Sequence, residues 1–278
     1  MATGAKKNQG ANLPSAALLP FVLISFGITW GLVGFYIILP DLAAGWFGQI
    51  SGQHPIFFLA TWAPAIAAFT LVGYHGGWEG IRRFVARAGL WRCSGGWLAF
   101  LVIGVPLVFI AGSWIKGNLF SEGFRFESVG GVLAVMVLMA FLGPVEEFGW
   151  RGLAQPLLQR HMAPFWAGLA IGVTWGIWHL PAFYLSGTVQ SGWSFTPFFI
   201  GNVTLAIIVT PLFNASRGSI LLPALFHYQL INPLWPDAQP YDILLLLVVA
   251  AVMLWVHRRS FFRRDSGVTS VFISRAPD

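Results

Sequence analysis

Apolar residues run along this chain in blocks of about twenty, and the polar residues gather between the blocks. Eight blocks stand out, over roughly 15–39, 55–75, 97–116, 130–158, 164–185, 196–214, 218–235 and 241–257. A helix needs about 17 to 25 mostly apolar residues to cross the hydrocarbon core, and its closed ladder leaves no backbone group unpaired in lipid. The pattern therefore predicts an all-α fold: a polytopic membrane helix bundle of about eight transmembrane helices, forming one integral membrane domain over 1–278. The fourth block is longer than a crossing requires, and Gly143-Pro144 is a place for it to kink. Between the second and third blocks, Trp78 to Trp91 mixes Arg82, Arg83 and Arg87 with Ile81, Phe84, Val85 and Leu90. That mixture predicts an interfacial amphipathic helix on the cytoplasmic leaflet. The first block is too long for a signal-peptide core and reads as an anchor. The last dozen residues read as a loosely ordered tail.

Composition agrees with the pattern. With 56% hydrophobic and 9% charged residues, a soluble domain is excluded. The single Cys93 rules out an internal disulfide and a multi-cysteine metal cluster. A net charge of +6 would suit nucleic acid, but loop charge explains it better. With the N-terminus cytoplasmic and eight crossings, fourteen of the sixteen cations fall inside, and only Lys116 and Arg125 fall outside. The positive-inside rule thus predicts a bacterial-type inner membrane protein with both termini cytoplasmic, contacting membrane lipids and no nucleic acid. The sequence does not fix an oligomeric state.

Charge inside the blocks is the exception. Of ten acidic residues, only Glu146 and Glu147 are embedded in the interior of a spanning block, after fourteen uncharged residues from Gly130 to Gly143. An ionisable group at such depth costs at least about 2.5 kcal/mol on insertion scales and marks a functional candidate. On a helix, Glu147 shares a face with Arg151, four residues on, and a structural ion pair would account for both. Glu146 points elsewhere, and a carboxylate without a local partner can carry protons. Two of the six histidines, His179 and His227, also lie in the interior of apolar blocks, whereas His75 and His257 stand at block ends. With a turn at His161-Met162-Ala163-Pro164, Glu146 and His179 sit about sixteen residues to either side. At 1.5 Å per residue that puts both roughly 24 Å from the turn, at similar height. A carboxylate and two imidazoles inside a membrane can activate water, bind a metal or relay protons, and geometry at this level leaves all three open.

The motifs resemble a family. Glu146-Glu147-Phe-Gly-Trp-Arg151 is similar to the Glu-Glu-x-x-x-Arg motif of the CAAX protease and bacteriocin-processing family, which includes the type II CAAX prenyl endopeptidases. Trp175-Gly-Ile-Trp-His179 resembles its second motif, with Trp in place of the usual Phe, and His227 followed by Asn232 resembles its third. The Asn follows by five residues where the family has four. The resemblance covers about residues 75–235. It implies an intramembrane endopeptidase in which Glu146, helped by His179, activates water, while His227 and Asn232 stabilise the oxyanion. Glu147 and Arg151 would brace the motif. The family has been viewed both as metal-dependent and as glutamate-dependent, so Zn²⁺ held by Glu146, His179 and His227 stays open beside metal-free activation. The implied partner is a peptide or lipidated protein substrate, prenylated or otherwise membrane-bound. Two other readings fit the residues: a proton-coupled transporter using the same groups as a relay, and a catalytically idle membrane partner or immunity protein.

Overall fold

The computed structural model describes residues 13–51, 54–121 and 128–273. Lys6, Lys7, Arg125 and Arg275, four of the cations counted in the loop-charge argument, lie outside the described residues. The described chain is helical throughout, with no strand. Its helices are α1 (Leu18–Ile38), α2 (Pro40–Phe47), α3 (Pro55–Thr61), α4 (Ala63–Val85), α5 (Gly95–Ala99), α6 (Val105–Lys116), α7 (Val129–Leu142), α8 (Gln155–Gln159), α9 (Pro164–Trp178), α10 (Phe195–Ala215), α11 (Leu221–Leu230) and α12 (Tyr241–Phe261). Short 3₁₀ and π turns join several of these end to end.

The predicted count of eight crossings is not confirmed by the length and apolarity of the described helices. Five are long and apolar enough: Ser15–Ile38, Gly95–Lys116, Val129–Gln159, Phe195–Ala215 and Tyr241–Phe261. A sixth forms if α3 and α4, bent by 58° at their junction, count as one. The other two expected spans, 164–185 and 218–235, are realised as α9 and α11, of 15 and 10 residues. At 1.5 Å per residue these reach only about 22 Å and 15 Å. Proline explains both ends. Pro181, lacking a donor, stops α9 two residues after His179, and Pro233 follows closely on the end of α11. The histidines thus stand at helix ends and not in mid-span.

The short α9 is held by close backbone approach to α10. Gly168, Gly172 and Gly176 recur every four residues. A Cβ on them would sit 2.5 Å from Thr210 Oγ1, 2.7 Å from Val203 Cα and 2.6 Å from Phe199 Cδ2. Lipid offers helices no hydrophobic drive to associate, so such small-residue seams carry the packing. Trp178 Nε1 donates to Thr29 Oγ1 at 2.9 Å, and Thr29 donates to Ala60 O at 2.7 Å, which ties α9 to α1 and α3.

The segment expected as an amphipathic helix over 78–91 is helical. It follows on from the first part of α4 across a kink at Gly77, whose φ of 57° and ψ of −158° are non-helical and tolerated by glycine, and it closes in a 3₁₀ turn over Ala86–Gly89. Arg87, expected among solvated cations, is 2% exposed. The tail, expected to be loose, is docked over its described part: Val271 and Phe272 are buried in the core beside Phe84 and Leu153. Arg87, Arg83, Arg160 and Gln159 donate to its backbone carbonyls, which the sequence pattern does not reveal.

Candidate active site

The long fourth span breaks where its sequence changes character. Pro144 cannot donate to the carbonyl four residues back, and its ring crowds that turn. Leu142 accordingly leaves helical geometry, at φ −85° and ψ −91°, and a 3₁₀ turn over Gly143–Glu146 follows. A π-helical stretch, Phe148–Ala154, comes next; inserted residues of that kind recur at functional sites because they re-aim side chains. The carbonyl of Phe141 at this break accepts from Trp62 Nε1 at 2.6 Å. The Glu-Glu pair therefore sits on a distorted, well-tied segment.

Glu146 and Glu147 diverge as adjacent helical residues should. Glu147 Oε1 accepts from Arg151 Nη1 at 3.0 Å, the expected i,i+4 pair, and also from His227 Nδ1 at 2.9 Å. The brace thus includes the third-motif histidine, which the linear reading had not tied to it. Glu146 Oε2 accepts from Trp175 Nε1 at 2.8 Å. Both carboxylates and Arg151 are buried, and the Arg151 guanidinium lies over the Trp175 ring at 4.9 Å. Trp175 is therefore part of the site, contacting both of the charged pair's neighbours, and its motif position was the signal for it.

The two imidazoles are oriented by what their Nδ1 atoms touch. His179 Nδ1 lies 2.8 Å from the carbonyl of Trp175. A carbonyl only accepts, so Nδ1 carries the proton and Nε2 of the neutral ring is left as an acceptor. His227 Nδ1 against the Glu147 carboxylate, itself paired with Arg151, follows the same logic. Its Nε2 faces Gly143, where an added Cβ would come within 2.6 Å. The Trp175 ring packs edge-on to His227 at 5.3 Å and tilted against His179 at 5.6 Å.

These groups open on one cavity of about 800 Å³, walled by Glu146, His179, His227 and Trp175 on one side and by parts of α1, α3, α6, α10 and α12 on the others. The structure brings Glu146, His179 and His227 to this cavity and sets Glu147 and Arg151 behind them. Asn232 it does not bring. The helix ends at Leu230, and the Asn232 amide is spent on its own loop, accepting from Leu234 N at 3.0 Å and donating to Gln229 Oε1 at 3.3 Å. The fifth residue after His227 falls one position past the helical face that a fourth would share. An amide that does line the cavity is that of Asn202 on α10, buried, with its NH₂ donating to Phe198 O at 3.0 Å. The sequence signal for it was available: a carboxamide within an apolar span.

Among the described residues, no three His, Cys, Asp or Glu side chains converge as a metal site. Glu147 and one nitrogen of each histidine are already engaged.

A helical membrane protein with a buried carboxylate and two imidazoles at a cavity is a narrow class. Residues 128–232, which carry all three motifs, match the family model of the type II CAAX prenyl endopeptidases, Rce1-like. CAAX prenyl protease 2 of Methanococcus maripaludis is 29% identical to this chain over 177 residues, which is 60% of this chain and 65% of that protein. Both matches are to the CAAX protease family that the motifs resemble, and the chain spans about 65% of the length of that relative.

Proposed function

We propose that the protein is an intramembrane endopeptidase that hydrolyses a peptide bond close to the bilayer. The observation that carries this reading is the arrangement of Glu146, His179 and His227 around one cavity, each oriented by one hydrogen bond. Glu146, fixed through one oxygen by Trp175, takes a proton from a water in the cavity. His179, whose Nε2 is an acceptor, orients that water. The hydroxide attacks the scissile carbonyl, and the proton passes to the leaving amine. His227, once protonated, is stabilised by Glu147 and donates from Nε2 to the oxyanion. Asn202, in place of Asn232, offers the second donor. No step is routed through a metal.

The relative's name, CAAX prenyl protease 2, makes a prenylated C-terminal peptide one substrate to try. The test uses purified, detergent-solubilised protein and fluorogenic peptides with and without a farnesyl group. Wild type is compared with Glu146→Gln and His179→Ala, each with and without a strong zinc chelator. Cleavage lost in both variants and unchanged by chelator is the expected result. Cleavage that survives Glu146→Gln overturns the role of Glu146, and cleavage abolished by chelator overturns the metal-free step. Loss of solute uptake in Glu146→Gln, with no peptide cleaved by wild type, would return the transporter reading.

A further inference from the structure

We propose that Gln155 binds a buried water against Arg151, and that through this water it holds the Arg151–Glu147–His227 brace in place behind the cavity. The positioning half of this proposal rests on the endopeptidase reading; the water does not.

Four polar side chains lie along one face of the segment that carries the Glu-Glu pair. Glu147, Arg151, Gln155 and Gln159 follow one another at four-residue spacing, and none is more than 2% exposed. The Glu147–Arg151 bond at 3.0 Å shows that this spacing keeps one face through the π-helical stretch. Gln155 and Gln159 continue that face along α8. The neighbours agree. His227 on α11 meets the face at Glu147, the Trp175 ring on α9 meets it at Arg151, and Asn214 on α10 meets it at Gln159.

Bonding along this face is uneven. Gln159 is satisfied: its NH₂ donates to Asn214 Oδ1 at 3.0 Å and to Val268 O at 2.8 Å, and its oxygen accepts from Asn214 Nδ2 at 2.8 Å. Gln155, one turn earlier, is fully enclosed, and neither its Nε2 nor its Oε1 has a partner among the described residues. The same holds for Arg151 Nε and Glu147 Oε2. These four atoms are two donors and two acceptors on three successive side chains of one face. Helical side chains lean toward the N-terminus, so the Gln155 amide reaches back toward Arg151. A buried amide is costly unless it is hydrogen-bonded. Water fits the need. It accepts from Arg151 Nε, donates to Gln155 Oε1 and keeps one hydrogen to donate toward Glu147 Oε2, and buried waters make about three such bonds.

The consequence for the site lies in Arg151. Its guanidinium is held at Nη1 by Glu147 and rests over the Trp175 ring at 4.9 Å. A bond at Nε adds a third point to this planar group, which keeps Glu147 Oε1 on His227 Nδ1 and so fixes the His227 ring at the cavity. Gln155 does not line the cavity and acts only through Arg151, which makes it a positioning residue.

Electron density from crystals of the wild type tests the water directly. An ordered water within hydrogen-bond distance of both Arg151 Nε and the Gln155 amide is expected. A direct bond between Gln155 and Arg151, or an amide turned to another partner with no water beside it, overturns the proposal. Thermal unfolding of Gln155→Met supplies an independent sign. Met has nearly the shape of Gln, so if the amide stood dry the exchange would remove two unpartnered atoms and raise the melting temperature. A fall is expected, because the exchange strips the water from Arg151, and a rise overturns the proposal. Turnover of the fluorogenic peptides is then measured per folded protein. In Gln155→Met, kcat should fall by about ten- to a hundredfold with KM unchanged, as misplacement of a transition-state donor requires. Gln155→Asn keeps a donor and an acceptor and should recover most of that loss. Unchanged kcat in Gln155→Met, or an equal loss in Gln155→Asn, overturns the positioning role. A wild type that cleaves no peptide counts against the endopeptidase reading alone, because the density and the melting shift decide the water without it.

Discussion

The protein buries ionisable groups in two places, and they are built on opposite principles. At one end of the bundle, Arg87 is enclosed with its donors spread over backbone carbonyls: Gly218 at 2.8 Å, Gly152 at 2.5 Å and Val271 at 3.0 Å. That guanidinium fastens three chain segments and faces no cavity. At the cavity, Glu146 and the two histidines are each held by one atom and leave another facing open space. A buried polar group whose partners are all protein is a structural fixture. One whose partners fix its orientation but not its full bonding capacity is available for chemistry. The difference lies in where the spare valence points, since Arg87, Glu146 and His227 are all buried.

Substitutions can break that contrast. The largest effect belongs to Glu146→Gln, which keeps shape and the Trp175 bond but removes the base. Turnover in the fluorogenic assay should fall by about 10²–10⁴-fold, the usual contribution of a general base, with the melting temperature unchanged. Arg87→Met should do the reverse in kind. Stripping a buried charged donor from several carbonyls costs about 3–5 kcal/mol, read as a large drop in thermal stability, with whatever folded protein remains keeping its active-site titration. Gly143→Ala sharpens the comparison between the two. Its Cβ would collide with His227 Nε2, and such overpacking costs about 1–3 kcal/mol, so thermal unfolding should shift modestly while turnover drops well beyond that shift. The smallest effect separates two asparagines. Asn202→Ala should lower turnover by at least tenfold if its amide serves the oxyanion, whereas Asn232→Ala should cost only about 1 kcal/mol of stability from the lost loop bonds and spare turnover. Equal losses at both positions would return Asn232 to the site.

Much of the site was legible because membranes punish charge. Glu146, Glu147, His179 and His227 could be picked out of an apolar chain on cost alone, and the Glu147–Arg151 pair followed from helical spacing. The bond from Glu147 to His227 was not legible, since the two lie 80 residues apart and no local rule relates them. Nor was the burial of Arg87. Its neighbours in sequence are those of a surface helix, and only the arrival of the tail and the turn at Gly218 encloses it. Asn232 shows the converse: its identity fits the family motif, but the end of α11 turns it away.

The sequence by itself determined the class. The lengths of the apolar blocks and the exclusion of unpaired backbone from lipid force a helical membrane protein, and the stray ionisable residues mark where its chemistry lies. Tertiary structure alone decided which blocks become full spans, because α9 and α11 stop short at prolines and are supported by neighbours. It also decided which polar atoms are spent on the protein and which face the cavity. Those outcomes depend on contacts between segments far apart in the chain, and a periodicity read along one segment carries no information about them.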